Sequence, residues 1–328
     1  MILKKPIAKL SKVETRLGLV PTFGSKKYSV DTNTRISVGS RLNDYWDENG
    51  FTQVYRGFSK TNRTVSAVDI NRAVLKFRLK GIEFGRWLTN DDAYNYLAAL
   101  VIALSDLTKI VGYTNIGFSG TIGIAFGARG YQHAAGHFEP DTMMINLTRY
   151  KRYIINPLTG QKIDVDKKTK FVETGGVGAL AHEYGHAIDY FFGTYVEQDR
   201  FYRSLTYGHD TSLITKNVYK KGTLRYQMIE IIKAIQQTAS YNKMRDGLVK
   251  KGESDSYWLR HNELWARLFE VWVSYKMREK GITNTFLHKE KYKRLAKTMG
   301  CYQTQTEFSK IRPLVDKLMR DIAKLASN

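Results

Sequence analysis

The chain has 328 residues, 42% of them hydrophobic and 12% aromatic, enough for one large core or two ordinary ones. Its 52 Lys and Arg stand against 31 Asp and Glu, a formal net charge of +21 that attracts polyanions. A lone cysteine, Cys301, excludes an intramolecular disulfide and fits a reducing compartment.

Residues 1–65 are rich in Thr, Ser, Asn, Lys and Gly, with weak alternation as in YSVDTNTRISV, and are expected to form a basic N-terminal arm or small β region. The opening MILKKPIAKLSKVETRLG has no apolar core of a secretory signal, so a cytoplasmic setting is expected. Ile70, Ala73, Val74 and Phe77 recur at helical spacing, and DDAYNYLAALVIALSDLTKIVG (91–112), behind a Thr-Asn cap, predicts a long buried helix. Asp106 interrupts its most apolar part, which falls short of the roughly 18 residues a membrane span needs; no membrane span is expected. The runs NIGFSG, TIGIAFGARG, AAGHFEP and TMMINLTR are predicted as strands and turns; their glycines match neither a dinucleotide fingerprint nor a phosphate loop. Residues 151–176 suggest a polar hairpin, followed by a histidine-bearing helix and helices near 223–245, 258–279 and 305–326. The order of elements predicts an α+β fold.

The segment GALAHEYGHAIDYFFG (178–193) contains His-Glu-x-x-His. On a helix, Val177, Leu180, Tyr184, Ala187 or Ile188 and Phe191 form one apolar stripe, leaving His182, His186 and Asp189 on another face that carries no lysine. Such a helix is expected to be buried on both sides. Its two imidazoles, one turn apart, can share an ion, and Glu183 stands beside them as a base. Zinc requires a third protein ligand. A histidine six residues after His186 is excluded because Phe192 is there. A glutamate from a later helix is the other common solution, and SYWLRHNELWARLFEVWVSYK (256–276) offers Glu263 and Glu270, seven residues apart on one face. Arg267, four after Glu263, either orients that carboxylate or makes an ordinary helix-surface pair with it. His261 is offset from the same face.

HEYGHAID followed by NELWARLFE resembles the glutamate-type zincin metallopeptidases and is locally similar to the catalytic domain of anthrax lethal factor. KGIEFGRW (80–87), GTIGIAFGARG (120–130), HFEP (137–140), INLTR (145–149), ALAHEYGHAIDY (179–190) and YWLRHNELWARLFE (257–270) further resemble, in order, the large polyvalent-protein-associated domain of phages and plasmids. The resemblance implies a zincin-like domain over residues 66–280, with a small mixed sheet, a backing helix, an active-site helix and a C-terminal helical part; residues 281–328 would extend it. It implies Zn²⁺ held by His182, His186 and Glu263, with Glu183 as catalytic acid/base. Tyr257 matches the family's tyrosine, one residue displaced from the lethal factor spacing, and would donate a hydrogen bond to an oxyanion. Asp189 would either accept a hydrogen bond from a ligating histidine's second nitrogen or pair within the fold. His137 and Glu139 fall in a family motif that also reads as a strand end before a turn. The expected function is a zinc metallopeptidase cutting a phage or host protein, in the bacterial cytoplasm or packaged in a virion. The alternative is a basic virion or DNA-associated protein that uses the fold as a binding module, meeting nucleic acid or an acidic partner through its charged surface.

Overall fold

The computed structural model describes residues 65–85, 90–129, 135–147, 154–155, 162–163, 177–198, 203–207, 220–252, 257–288 and 300–327. The expected N-terminal region, Thr89 of the predicted cap and most of HDTSLITKNVYKKG lie outside the described residues.

Helix α1 (Ala67–Phe77) starts at Ser66, whose hydroxyl accepts from the Asp69 amide while Asp69 reaches back to the Ser66 amide. Ile70, Ala73, Val74 and Phe77 are its buried face, as their spacing predicts. After strand β1 (Ile82–Phe84), helix α2 (Asn90–Val111) crosses the core. Among the described residues, its segment Ala93–Val111 is long and apolar enough to cross a membrane, with mean hydropathy 1.3. Tyr96, Leu100, Leu104 and Leu107 on it are nonetheless fully buried within this chain. NIGFSG, one of the runs expected as strands and turns, is a turn in which Phe118 and Ser119 adopt left-handed backbone, with φ of 46° and 54°. Asn115 explains it: its side chain accepts from the Ser119 amide at 2.7 Å and donates to the Ser119 hydroxyl at 3.1 Å, so a local side-chain bond replaces a strand ladder.

Strands β2 (Gly123–Phe126), β3 (Gly136–Glu139) and β4 (Met144–Leu147) complete a mixed sheet of order β1-β2-β4-β3. β1, β2 and β4 are parallel, and β3 is an antiparallel edge strand. Side chains alternate between its faces. Phe126 meets Tyr96 of α2 at 5.2 Å between ring centroids, and Phe138 meets Tyr190 at 5.7 Å, so this face is covered by helices. Glu83, Ala125, Asn146 and His137 form a row in register on the other face. The expected hairpin is the antiparallel pair β5 (Ile154–Ile155) and β6 (Lys162–Ile163).

Helix α3 (Leu180–Phe191) carries the histidines and runs into a π-helical turn, Phe192–Glu197. The single helix expected over 223–245 is two: α4 (Leu224–Gln236) and α5 (Ala239–Val249), separated where the Thr238 hydroxyl accepts from the Tyr241 amide and starts a new N-terminus. A short 3₁₀ turn, Tyr257–Leu259, precedes α6 (His261–Glu279), and α7 (Gln305–Ala326) closes the helical layer. α7 begins with a capping box between Thr304 and Glu307; Glu307 also takes the amide and hydroxyl of Ser240, joining α7 to α5. The fold is α+β with a small mixed sheet and seven helices among the described residues.

Candidate metal centre

Helix α3 has no side-chain cap, since Ala179 occupies the N-cap position. Its first amides must be satisfied elsewhere. The loop after α6 does this for one of them, the Leu287 carbonyl accepting from Ala181 at 3.0 Å, while the Phe286 carbonyl accepts from Gly178, just before the helix, at 2.9 Å. That loop is itself pinned to α2, where Asn284 donates to Asp106 at 2.9 Å. The helix is buried on both sides, as its lysine-free second face predicts; Leu180, Tyr184 and Phe191 face the aromatic core while His186 and Asp189 are also buried. The Tyr184 hydroxyl donates to the Ile116 carbonyl at 3.1 Å, fixing the helix's rotation about its axis.

Gly185, between the two histidines, is where α3 meets α6. A Cβ there would stand 3.1 Å from Ala266 Cα and 3.3 Å from Phe269 Cβ, closer than ordinary contact. With hydrogen in its place the helices approach, and Trp265 Nε1 donates to the Gly185 carbonyl at 2.9 Å. This contact brings Glu263, one turn before Ala266 and Arg267, over the histidines.

Glu263 Oε1 lies 3.2 Å from His186 Nε2, and Oε2 lies 3.3 Å from His182 Nε2. One ligand atom from each of these three residues falls within 4.8 Å of the others. Ligands about 2.0–2.2 Å from a tetrahedral zinc ion stand about 3.3–3.5 Å from one another, and the two nitrogen–oxygen separations are close to that size. Although Oε2 is close to His182, it takes no well-aligned hydrogen bond, and the contact is one of proximity and charge. Burial pushes the Glu263 carboxyl up, but the charge of His186 and the closeness of both imidazoles prevail and hold it below the usual carboxylate range. For His186 burial pulls the pKa down; Glu263 outweighs it, and the net direction is up.

Glu183 is 4% exposed, and burial raises its carboxyl above the ordinary value against the opposing pull of His182 and His186. Edge strand β3 passes it closely: a Cβ on Gly136 would lie 3.0 Å from Glu183 Cγ. A glycine in the strand therefore makes room for the carboxylate. Tyr257 has 46% of its surface exposed, but its hydroxyl end is buried against Glu263; burial first, and then the Glu263 charge, raise its pKa. Arg267, 2% exposed, sets this turn in place by donating to the Trp258 carbonyl at 2.5 Å and, through Nε, to the Cys301 carbonyl at 3.0 Å. Its distance to Glu263 Oε2 is 3.9 Å, so its main bonds go to backbone rather than to the expected ion pair.

Asp189 accepts from neither His182 nor His186. Its Oδ1 takes the Thr206 amide at 2.9 Å and its Oδ2 the Thr206 hydroxyl at 2.7 Å, while His186 Nδ1 has no hydrogen-bond partner among the described residues. Of the two expectations for Asp189, pairing within the fold is the one realised, and burial pushes its carboxyl up to about 6 against those bonds. His261 is also outside the centre, with Nδ1 against the Thr206 carbonyl at 3.3 Å. His137 and Glu139 lie on the sheet face turned away from Gly136 and Phe138. There Arg129 grips Glu83 through Nε at 3.0 Å and Nη2 at 2.9 Å, and Glu139 through Nη1 at 2.8 Å. Asn146 and His137 join at 3.4 Å.

Thr206, Gly136, Phe286 and Leu287 were not legible as parts of the site. Phe286 and Leu287 act through backbone carbonyls, which leave no trace in residue type. Gly136 had one signal, a glycine directly before the HFEP motif.

Residues 249–326 match large polyvalent protein-associated domain 1. The resemblance read from the motifs therefore holds for this part of the chain. The polyvalent-protein match includes Tyr257, Glu263 and Arg267, and runs on through α7, past the boundary at 280 expected from the sequence. His182, Glu183 and His186 lie before it, so the centre joins the matched segment to the chain that precedes it. No curated protein and no solved structure matches the chain.

Proposed function

We propose that the protein is a zinc-dependent metallopeptidase of glutamate-type zincin character, hydrolysing a peptide bond in a phage or host protein. The observation that carries this reading is the convergence of His182, His186 and Glu263 within 4.8 Å, with buried Glu183 beside them. A zinc ion held by those three residues would supply Lewis acidity toward a carbonyl and toward water. Glu183 is the base: its raised pKa suits a group that takes a proton from water and returns it to the leaving amine. Tyr257, protonated at neutral pH, donates its hydroxyl toward an oxyanion. Edge strand β3, paired among the described residues with β4 alone, offers backbone groups to an extended substrate beside Glu183.

Metal analysis of purified protein and a proteolysis assay with Glu183→Gln test the reading together. One zinc per chain and cleavage that depends on Glu183 are expected. Less than one zinc and no such cleavage would sink it.

A second reading, binding to nucleic acid, is favoured by the net charge and by α7, where Lys310, Lys317, Arg320 and Lys324 are exposed at spacings of one helical face. It predicts DNA affinity that falls steeply with salt and survives both Glu183→Gln and zinc removal.

A further inference from the structure

A histidine that binds an ion through one ring nitrogen needs a partner for the other, because that partner fixes both the ring's rotation and its tautomer. His182 Nε2 faces Glu263, so Nδ1 is the nitrogen turned away from the centre. Asp189 lies seven residues further along α3 and is held by the Thr206 amide and hydroxyl. The carboxylate facing His182 Nδ1 is Glu270 Oε2, at 4.0 Å.

Glu270 lies on α6 seven residues after Glu263 and is 1% exposed. It is fixed from both sides. The Tyr302 hydroxyl donates to Oε2 at 2.9 Å, and His288 Nδ1 lies 3.5 Å from Oε1. Those two residues belong to chain segments that already hold the centre together. His288 follows the Phe286 and Leu287 carbonyls that hold the start of α3, and Tyr302 follows the Cys301 carbonyl that accepts from Arg267. A buried carboxylate held this firmly can set the direction of a more mobile neighbour. His182 is that neighbour: its side chain is 18% exposed against 7% for His186, which leaves the ring room to turn and close the distance to hydrogen-bond length.

We propose that Glu270 is the positioning residue for His182, accepting a hydrogen bond from Nδ1–H so that Nε2 is presented unprotonated to the ion, with Tyr302 and His288 holding Glu270 in place. This rests on the metal reading above. It also separates the two histidines: His182 is oriented by a carboxylate, whereas His186 is oriented by packing.

The test uses the full chain. Zinc affinity is measured by competition with a chromophoric chelator for wild type, Glu270→Gln, Glu270→Leu and Tyr302→Phe, and the His182 Nδ1–H signal is read by nitrogen NMR of the zinc-loaded proteins. In wild type that proton is expected to be hydrogen-bonded, shifted downfield and protected from exchange. Glu270→Leu should weaken zinc by about 10- to 100-fold and abolish the downfield shift. Glu270→Gln, which keeps an acceptor, should lose less, and Tyr302→Phe less again, all with one zinc per chain at saturation. A merely structural role would lower the melting temperature while leaving the Nδ1–H signal as in wild type. Unchanged affinity and Nδ1–H signal in Glu270→Leu, or in Glu270→Gln and Tyr302→Phe should the leucine variant fail to fold, overturn the proposal. A wild type that binds no zinc defeats the metal reading, and the proposal falls with it.

Discussion

Two buried clusters of charge are built by opposite rules. On the outer face of the sheet, Arg129 answers Glu83 and Glu139 at hydrogen-bond distance, and the Thr142 hydroxyl completes Glu139 at 2.8 Å. Between α3 and α6, three carboxylates, Glu183, Glu263 and Glu270, converge with imidazoles, while the nearby guanidinium of Arg267 gives its short bonds to backbone carbonyls. Both clusters remove charge from water, which is costly unless the charge is answered. The first carries its own cation in the sequence. In the second the carboxylates face imidazoles, and Arg267 stands 3.9 Å from Glu263 Oε2 with its short bonds on backbone carbonyls. It is the second cluster for which a cation from solution is proposed.

Breaking each cluster should give different signatures. The largest effect is expected from Glu183→Gln, which removes the base and leaves the ligands: peptide cleavage should fall by about 10²- to 10⁴-fold with zinc content unchanged, checked by steady-state kinetics beside metal analysis. Arg129→Met removes both guanidinium hydrogen bonds from Glu83, which is fully buried, and should cost about 3–5 kcal/mol in denaturant unfolding while zinc affinity stays as in wild type. A loss of zinc binding in that variant would mean that the two clusters are coupled.

Gly185→Ala tests the contact that assembles the centre. Forcing α3 and α6 apart should cost about 1–3 kcal/mol in stability and weaken zinc, both read by thermal melts with and without metal. The smallest effect is one of pH. Burial raises the Glu139 carboxyl, but Thr142 and Arg129 more than offset it and hold the group below the usual range. A folded pKa below the unfolded one contributes stability that is fully present above the ordinary carboxylate range and is lost as pH falls through the folded value. Glu139→Gln should flatten this acid limb in melts recorded against pH and leave the neutral region's slope unchanged.

Much of this was legible in the chain. Residues 70–77 and the long helix after residue 90 announce themselves by period, because a helix buried on one or more faces must repeat its apolar residues. His182 and His186 share a helix face by spacing alone, whereas spacing offers both Glu263 and Glu270 and it is the resemblance that singles out Glu263. Composition leaves open which of the four runs after the long helix is a turn, and Asn115 decides it for NIGFSG by bonding locally, while the break at Thr238 is hidden inside continuous helical periodicity. Asp189 illustrates a different limit: its place on the histidine face is set by sequence, but Thr206, seventeen residues on, decides what it binds.

The sequence by itself determined which residues lie on the two faces of α3 and α6, since helical geometry converts spacing into direction over one element. The tertiary structure alone decided that Gly185 lets those helices touch, that carbonyls of Phe286 and Leu287 hold the start of α3, and that Glu270 rather than Asp189 faces His182. The physical reason is range. Periodicity and capping act within a few residues of the chain, whereas close approach, borrowed backbone carbonyls and the choice between two carboxylates depend on where distant segments pack.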